Sequence, residues 1–274
     1  MHIRRVAEID PRYFQHAALF VLLALANAWS DFGSGPLAFL CAGAGCLGIE
    51  AAAARVRGAA FDWRSPLITT CSLALLLRAP APGWFLLAGV LAIGSKALLR
   101  WRGKHMFNPA NIAIVGLLLA GAPVWISPGQ WGQVAWVLGI MIGFAALVLS
   151  RAHRLDIAAT FIAAYALCLF GRMAWLGDPP TIPLHQLQTG ALIVFTAFMI
   201  TDPRSTPDAR AGRIVFAGLV AVAAIALQIR FQLVGAPLYA LALVSPLTPL
   251  IDTMLKASRY RWSQPGKGEH EVMA

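Results

Sequence analysis

The chain has 274 residues, 59% of them hydrophobic and only 12% charged, with the charges crowded between long apolar runs. A soluble domain of this length needs a polar outer surface, whereas Val134 to Leu149 offers no polar face. The composition therefore excludes a water-soluble globule and points to an all-α integral membrane protein with lipid as a partner. A net charge of +10, from 22 Lys plus Arg against 12 Asp plus Glu, is accounted for by membrane topology and not by nucleic acid.

Apolar runs fall at about 14–30, 36–54, 66–78, 83–99, 107–126, 132–150, 155–173, 189–200, 212–228 and 235–255, which predicts about ten transmembrane segments. The first contains Ala24-Leu25-Ala26, the form of a signal-peptidase site. Glu8 and Asp10 precede it, and the run reads as a retained first membrane helix. The second contains Gly43-Ala44-Gly45-Cys46-Leu47-Gly48, which fits the dinucleotide fingerprint by letter. Inside an apolar segment with no preceding strand, it reads as close helix packing. The third is short, Pro66 to Leu77, and runs into Arg78-Ala79-Pro80-Ala81-Pro82. The fifth opens with Phe107-Asn108-Pro109-Ala110.

The second half repeats this rhythm. Its short segment, Gly190 to Ile200, runs into Thr201-Asp202-Pro203, and its last segment opens with Gly235-Ala236-Pro237-Leu238. Five segments is an odd number, so the halves are expected to be inverted relative to each other, with repeats over 1–126 and 127–255 and a cytoplasmic tail over 256–274. A run of about 12 residues gives roughly 18 Å of helix against a hydrocarbon core of about 30 Å. The rest of each short segment must be irregular backbone shielded by protein. Such interrupted segments at matching places are a pointer to a central site.

Charge sets the orientation. With ten crossings, every Lys and Arg except Arg78, Arg172, Arg230 and Lys96 falls on one side. Re-entrant third and eighth segments would weaken that asymmetry, so the sequence predicts an inner-membrane protein with both termini cytoplasmic. Cys41, Cys46, Cys71 and Cys168 lie in apolar segments without metal-ligand spacing and read as packing residues. His105, His153 and His185 sit in loops and His16 stands alone, which disfavours paired haem ligands. Glu50, Lys96, Asp156 and Asp252 lie toward cytoplasmic ends, so no midplane ion relay is visible.

Two strings carry chemistry. Gly103 to Asn111 places Lys104, His105, Asn108 and Asn111 where the chain re-enters the membrane, and Phe198 to Asp208 places Thr201, Asp202 and Arg204 beside the second short segment. Singly, each also reads as ordinary helix-start and turn chemistry. Together, in this order and context, Phe-Asn-Pro-Ala and Thr-Asp-Pro resemble strings of the NqrB/RnfD family of membrane electron-transport subunits. The resemblance extends to Ser65-Pro66-Leu67-Ile68-Thr69-Thr70, to Lys96 and to Thr189-Gly190-Ala191, covering about residues 60 to 210. Asp10-Pro11-Arg12-Tyr13-Phe14-Gln15 and Thr206 to Arg213 are similar to a short RnfD-like branch encoded near enediyne biosynthesis genes.

The resemblance implies a fold like that of urea and ammonium transporters and a membrane subunit of an Rnf/Nqr-like redox-driven, ion-translocating complex, with other subunits as partners. It also implies FMN, riboflavin or a quinone as cofactor. Larger members attach FMN to Thr in a Ser-Gly-Ala-Thr sequence between the halves. Here that loop, Gly121 to Gln130, has only Ser127 as a hydroxyl, so any flavin is expected to be non-covalent. The residues expected to hold it are Thr69, Lys96, His105, Asn108, Asn111, Thr201, Asp202 and Arg204, the cations suiting phosphate and the amides a flavin ring. The sequence singles out no catalytic residue and no metal site. A small-solute channel of the same fold and a scaffold for soluble partners stand as alternatives.

Overall fold

The computed structural model describes residues 10–29, 34–127 and 135–260; Val134 and positions 128–130 of the Gly121 to Gln130 loop lie outside them. It is mostly helical. The elements in order are α1 (Pro11–Trp29), α2 (Gly35–Arg57), α3 (Arg64–Leu76), β1 (Leu77–Arg78), α4 (Gly83–Leu98), β2 (Arg100–Trp101), β3 (Lys104–His105), α5 (Pro109–Leu119) and β4 (Trp125–Ile126). There follow α6 (Ala135–Arg151), α7 (Leu155–Leu176), α8 (Thr181–Leu187), α9 (Gly190–Val194) continued by a π-helical turn (Phe195–Met199), α10 (Arg210–Phe231) and α11 (Ala236–Val244). A 3₁₀ turn (Ser245–Leu247) leads to α12 (Thr248–Met254).

Local sequence explains the boundaries. α2 opens on a proline in its first turn and stops at Gly58, whose left-handed φ of 62° lets the chain close back on Ala54 and Arg55. Arg55 and Arg57 sit in its last turn, where cations favour the helix dipole. α5 begins at Pro109 behind Asn108, which is extended and accepts the Asn111 N–H at 3.0 Å. By length and composition, α2, α7 and α10 are long and apolar enough to cross a membrane. The pair from Thr181 to Met199, bent by 49°, makes a fourth if counted as one span.

Each apolar run predicted from sequence has a helix in it, but three are interrupted. The third ends as helix at Leu76 and continues extended through Leu77–Arg78, which pairs antiparallel with Trp125–Ile126. The fifth is helical only to Leu119 before it turns back into β4. The tenth breaks at Ser245-Pro246, since proline has no N–H for the preceding turn. The freed carbonyls at the end of α3 are capped by Arg78, whose guanidinium donates to the oxygens of Ala74, Leu75 and Leu77 at 3.0, 3.3 and 2.6 Å.

The most extensive packing is α2 against α4 and α7 against α10, followed by α10 against α11 and α4 against α5. α2 and α4 touch backbone to backbone. A Cβ on Gly45 would strike the Leu86 carbonyl oxygen, and one on Gly89 would lie 2.5 Å from that of Ala42. Of the three fingerprint-like glycines, Gly45 thus serves close helix packing, whereas a Cβ on Gly43 would meet Thr70 at an ordinary distance and one on Gly48 would meet nothing. Cys46 and Cys71 are fully buried in this core.

Gly45→Val and Gly89→Val should each lower the melting temperature in detergent, at a cost of about 1–3 kcal/mol for overpacking. Gly48→Ala, which points into open space, should leave it unchanged or slightly raised.

Candidate functional site

The broken segments bring the sequence-selected residues together. A cleft is bounded by the first turns of α1 and α3, by His105 and Asn108 ahead of α5, by the end of α6, and by the turn that follows the π-helix. Thr69, His105, Asn108, Thr201, Asp202 and Arg204 all line it. Lys96 and Asn111 do not.

The turn is built around Asp202. One carboxylate oxygen accepts the Arg204 N–H at 3.0 Å; the other accepts the Ser205 hydroxyl at 3.0 Å and meets His105 Nε2 at 3.2 Å. Burial would raise the Asp202 carboxyl, but His105 and these donors hold it below the ordinary carboxylate range. The Thr206 hydroxyl donates to the Asp202 carbonyl at 2.8 Å, and that of Thr201 to Ala197 at 2.7 Å. Thr69 likewise donates to Ser65, so both threonines spend their protons on their own helices. Asn108 links two distant parts of the chain: while capping α5, it donates from Nδ2 to the Met199 carbonyl at 3.4 Å. That carbonyl ends the π-helical turn, whose wide spacing is closed by Ile200 N–H to Phe195 at 3.1 Å. Such turns are enriched at functional sites.

Lys96 stands one residue behind the cleft. Its ammonium binds Glu50 at 2.9 Å and the Ser65 hydroxyl at 3.2 Å, so it neutralises a buried acid instead of presenting a free cation for phosphate. Asn111 is fully buried, and neither its amide nitrogen nor its amide oxygen has a partner among the described residues. A buried amide without partners is costly unless water or a ligand completes it.

Sequence reasoning passed over Arg12 and Gln15, which also line the cleft. Arg12 belongs to an alternating ring with Asp10, Arg64 and Asp62: Arg12 to Asp10 at 2.6 Å and Asp62 at 2.7 Å, Arg64 to Asp10 at 3.0 Å and Asp62 at 2.8 Å. The Asp-Pro-Arg and Asp-Trp-Arg strings, each an acid two residues before an arginine, were the available signal. Burial would push the Asp62 carboxyl up, but hydrogen bonds from Arg64 and Arg12 bring it down to about 2. His16, expected to stand alone, stacks on Trp63 at 5.4 Å and contacts the Arg64 carbonyl at 2.9 Å.

Size decides what the cleft can hold. Its volume of about 70 Å³ leaves room for a few waters. Pockets that enclose a whole small-molecule ligand run to about 300–1,000 Å³. A larger cavity of about 310 Å³ opens on the other side of the fold between α7, α9, α10 and α11. Its polar lining is uncharged: Ser127, Tyr165, Thr189 and three glutamines, with Tyr165 donating to Gln228 at 2.9 Å and Gln228 to Gln186 at 3.4 Å.

A sequence model of the NQR2, RnfD, RnfE family matches residues 119–261, a stretch that includes the Thr201 to Arg204 turn and excludes Asn108. The chain is 27% identical to the D subunit of an ion-translocating oxidoreductase complex from Alcanivorax borkumensis, over 78% of this chain and 81% of that one. It is 26% identical to the protein of the same name from Stutzerimonas stutzeri, over 74% and 77%. A third of that name, from Salmonella paratyphi B, is 29% identical over 45% and 34%.

Asn111→Leu should leave thermal stability unchanged or raise it, because it deletes an unpaired buried amide worth about 1–3 kcal/mol. If that amide serves a ligand, the same variant should lose activity in the assembled protein. The Asp62 carboxyl titrates lower folded than unfolded, where its value is about 3.9. Its stabilisation is therefore full above about pH 4 and lost as pH falls through about 2. Melting temperatures scanned across that window should fall, and Asp62→Asn should remove part of the fall.

Proposed function

The chain belongs to the NQR2, RnfD, RnfE family, and from that membership we propose that it works as the multi-pass membrane subunit of an ion-translocating oxidoreductase complex, in contact with the other subunits of that complex. The relatives' shared name supports this reading. Within it, the chain crosses the inner membrane ten times as two inverted repeats, 1–126 and 127–255, in the manner of urea and ammonium transporters. Both termini and the 256–274 tail are cytoplasmic.

The observation that carries the architecture is a common packing plan. In each half the second segment packs on the fourth, the fourth on the fifth, and the first on the third. Across the halves like meets like, α1 with α6 and α5 with α11, as a two-fold relation requires. The broken ends are exchanged. Asn108 of the first half reaches Met199 of the second. Gly235, with a φ of 75°, abuts Ile126 so closely that a Cβ would collide with its side chain.

Charge supports the orientation. Among the described residues, the ion pairs that link distant segments all lie at ends assigned to the cytoplasm: Arg12 and Arg64 with Asp10 and Asp62, Lys96 with Glu50, Lys104 with Asp208 and Asp252, and Arg213 with Asp156. The opposite side carries the local Arg172–Asp178 pair and the uncharged Gln186–Gln228–Tyr165 chain.

The uncharged cavity suits a non-covalent, neutral ring such as riboflavin or a quinone headgroup better than FMN, because no cation among its lining residues would meet a phosphate. Gln228, Gln186 and Tyr165 would hold it by hydrogen bonds, and the bound ring would supply electron transfer. The small cleft, with its His105–Asp202 and Asn108–Met199 links, joins the halves.

Purification of the tagged protein from its native membrane in mild detergent should bring down other membrane redox subunits and an extractable flavin or quinone. Gln228→Leu should reduce that cofactor several-fold. A colourless protein that purifies alone and passes a small solute across liposomes would replace this reading with the channel.

A further inference from the structure

A third cavity, about 360 Å³, lies at the end of the fold that carries most of the charge, between the β2–β3 hairpin, the Asp208 turn and the end of α12. Its walls carry four cations, Arg102, Lys104, Lys256 and Arg259, against two carboxylates, Asp208 and Asp252. The acids are already engaged. Lys104 Nζ lies 2.8 Å from Asp252 and 3.2 Å from Asp208, and Asp252 also accepts the Asp208 N–H at 2.8 Å. Arg102, Lys256 and Arg259 have neither an ion pair nor a hydrogen-bond acceptor among the described residues. Three cations outside any ion pair therefore face a space large enough for a headgroup, and the four cations of its walls exceed the two carboxylates by two.

The surroundings point to the source of the missing anion. On the hairpin wall, exposed Leu98 and Leu99 lead directly into Arg100, Trp101 and Arg102. On the α12 wall, exposed Met254 and Leu255 lead directly into Lys256. An apolar pair followed at once by basic residues, with a half-exposed tryptophan beside it, marks the boundary where acyl chains give way to headgroups. Basic pockets on the cytoplasmic side of membrane helices bind acidic lipid headgroups by the same logic. We propose that this cavity binds the phosphate of an acidic phospholipid, with Arg102, Lys256 and Arg259 contacting the phosphate and Leu98, Leu99, Met254 and Leu255 flanking the acyl chains.

This inference is independent of the redox reading, because it uses none of the residues of the cleft or of the uncharged cavity as phosphate ligands. The test is thermal stability of the full-length protein in detergent, titrated with phosphatidylglycerol, phosphatidylethanolamine or inorganic phosphate. Phosphatidylglycerol should raise the melting temperature saturably, while the other two should not. The combined Arg102→Gln, Lys256→Gln, Arg259→Gln variant should melt like the parent without lipid and need at least about tenfold more phosphatidylglycerol for the same shift. Arg230→Gln, on the opposite side, should behave as the parent does. An equal response to phosphatidylethanolamine, an unchanged response of the triple variant, or a matching shift with inorganic phosphate alone would each overturn the proposal. If the triple variant fails to fold, native mass spectrometry of the parent with the two lipids decides: retention of phosphatidylglycerol over phosphatidylethanolamine supports the site, and equal retention rejects it.

Discussion

A helix interrupted inside an apolar interior leaves peptide groups that no solvent can satisfy, and the arrangement of this protein follows from how those groups are paired. At the end of α3 the freed carbonyls go to the Arg78 guanidinium and to the Ser127 N–H, while the next two residues become a strand paired with Trp125–Ile126. At the end of the π-helical turn the Met199 carbonyl takes Asn108, and the Asp202 carbonyl takes the Ser205 N–H and the Thr206 hydroxyl. In both places one partner comes from a distant part of the chain, Ser127 or Asn108, and the others from residues that directly follow the break. The breaks thus tie α5 to the residues around it, and α5 in turn packs on α11.

Polar residues divide into two populations that serve different ends of the molecule. At one end the Asp10–Arg12–Asp62–Arg64 ring, the Glu50–Lys96 pair, the Lys104 cluster and the Asp156–Arg213 pair tie loops that are far apart in sequence. At the other, Tyr165, Gln228 and Gln186 form a hydrogen-bonded chain along the uncharged cavity. Partly exposed ion pairs add little stability individually. Their value here is registration, because each arginine fork or ammonium accepts only a narrow set of loop positions.

Much of this was legible in the sequence because hydrophobic run length and Pro, Gly and Asn punctuation are local signals. The runs at 36–54 and 155–173 became α2 and α7, the Asn108-Pro109 string capped a helix, and Gly45 fell at a helix contact. The grouping of Thr69, His105, Asn108, Thr201, Asp202 and Arg204 was also foreseen from two short strings. What was not legible depends on pairing across long separations. Nothing near Lys96 announces that Glu50 will neutralise it, and nothing near Arg12 announces Asp62. The size of a cleft is set by side chains from six elements, so a sequence that points to residues sharing one does not reveal its volume.

The long-range contacts at these breaks also bear on the order in which the protein is made. Asn108 finds its acceptor at Met199, and the Leu77–Ile126 pair is covered by Gly235. The first five segments leave the ribosome before either partner exists. At about 5–20 residues per second the wait from Ile126 to Gly235 lasts roughly 5–20 s. Through that interval the Asn108 side chain lacks its Met199 acceptor or Ile126 lacks its Gly235 neighbour, so the contacts that close these breaks form only after the later segments are made.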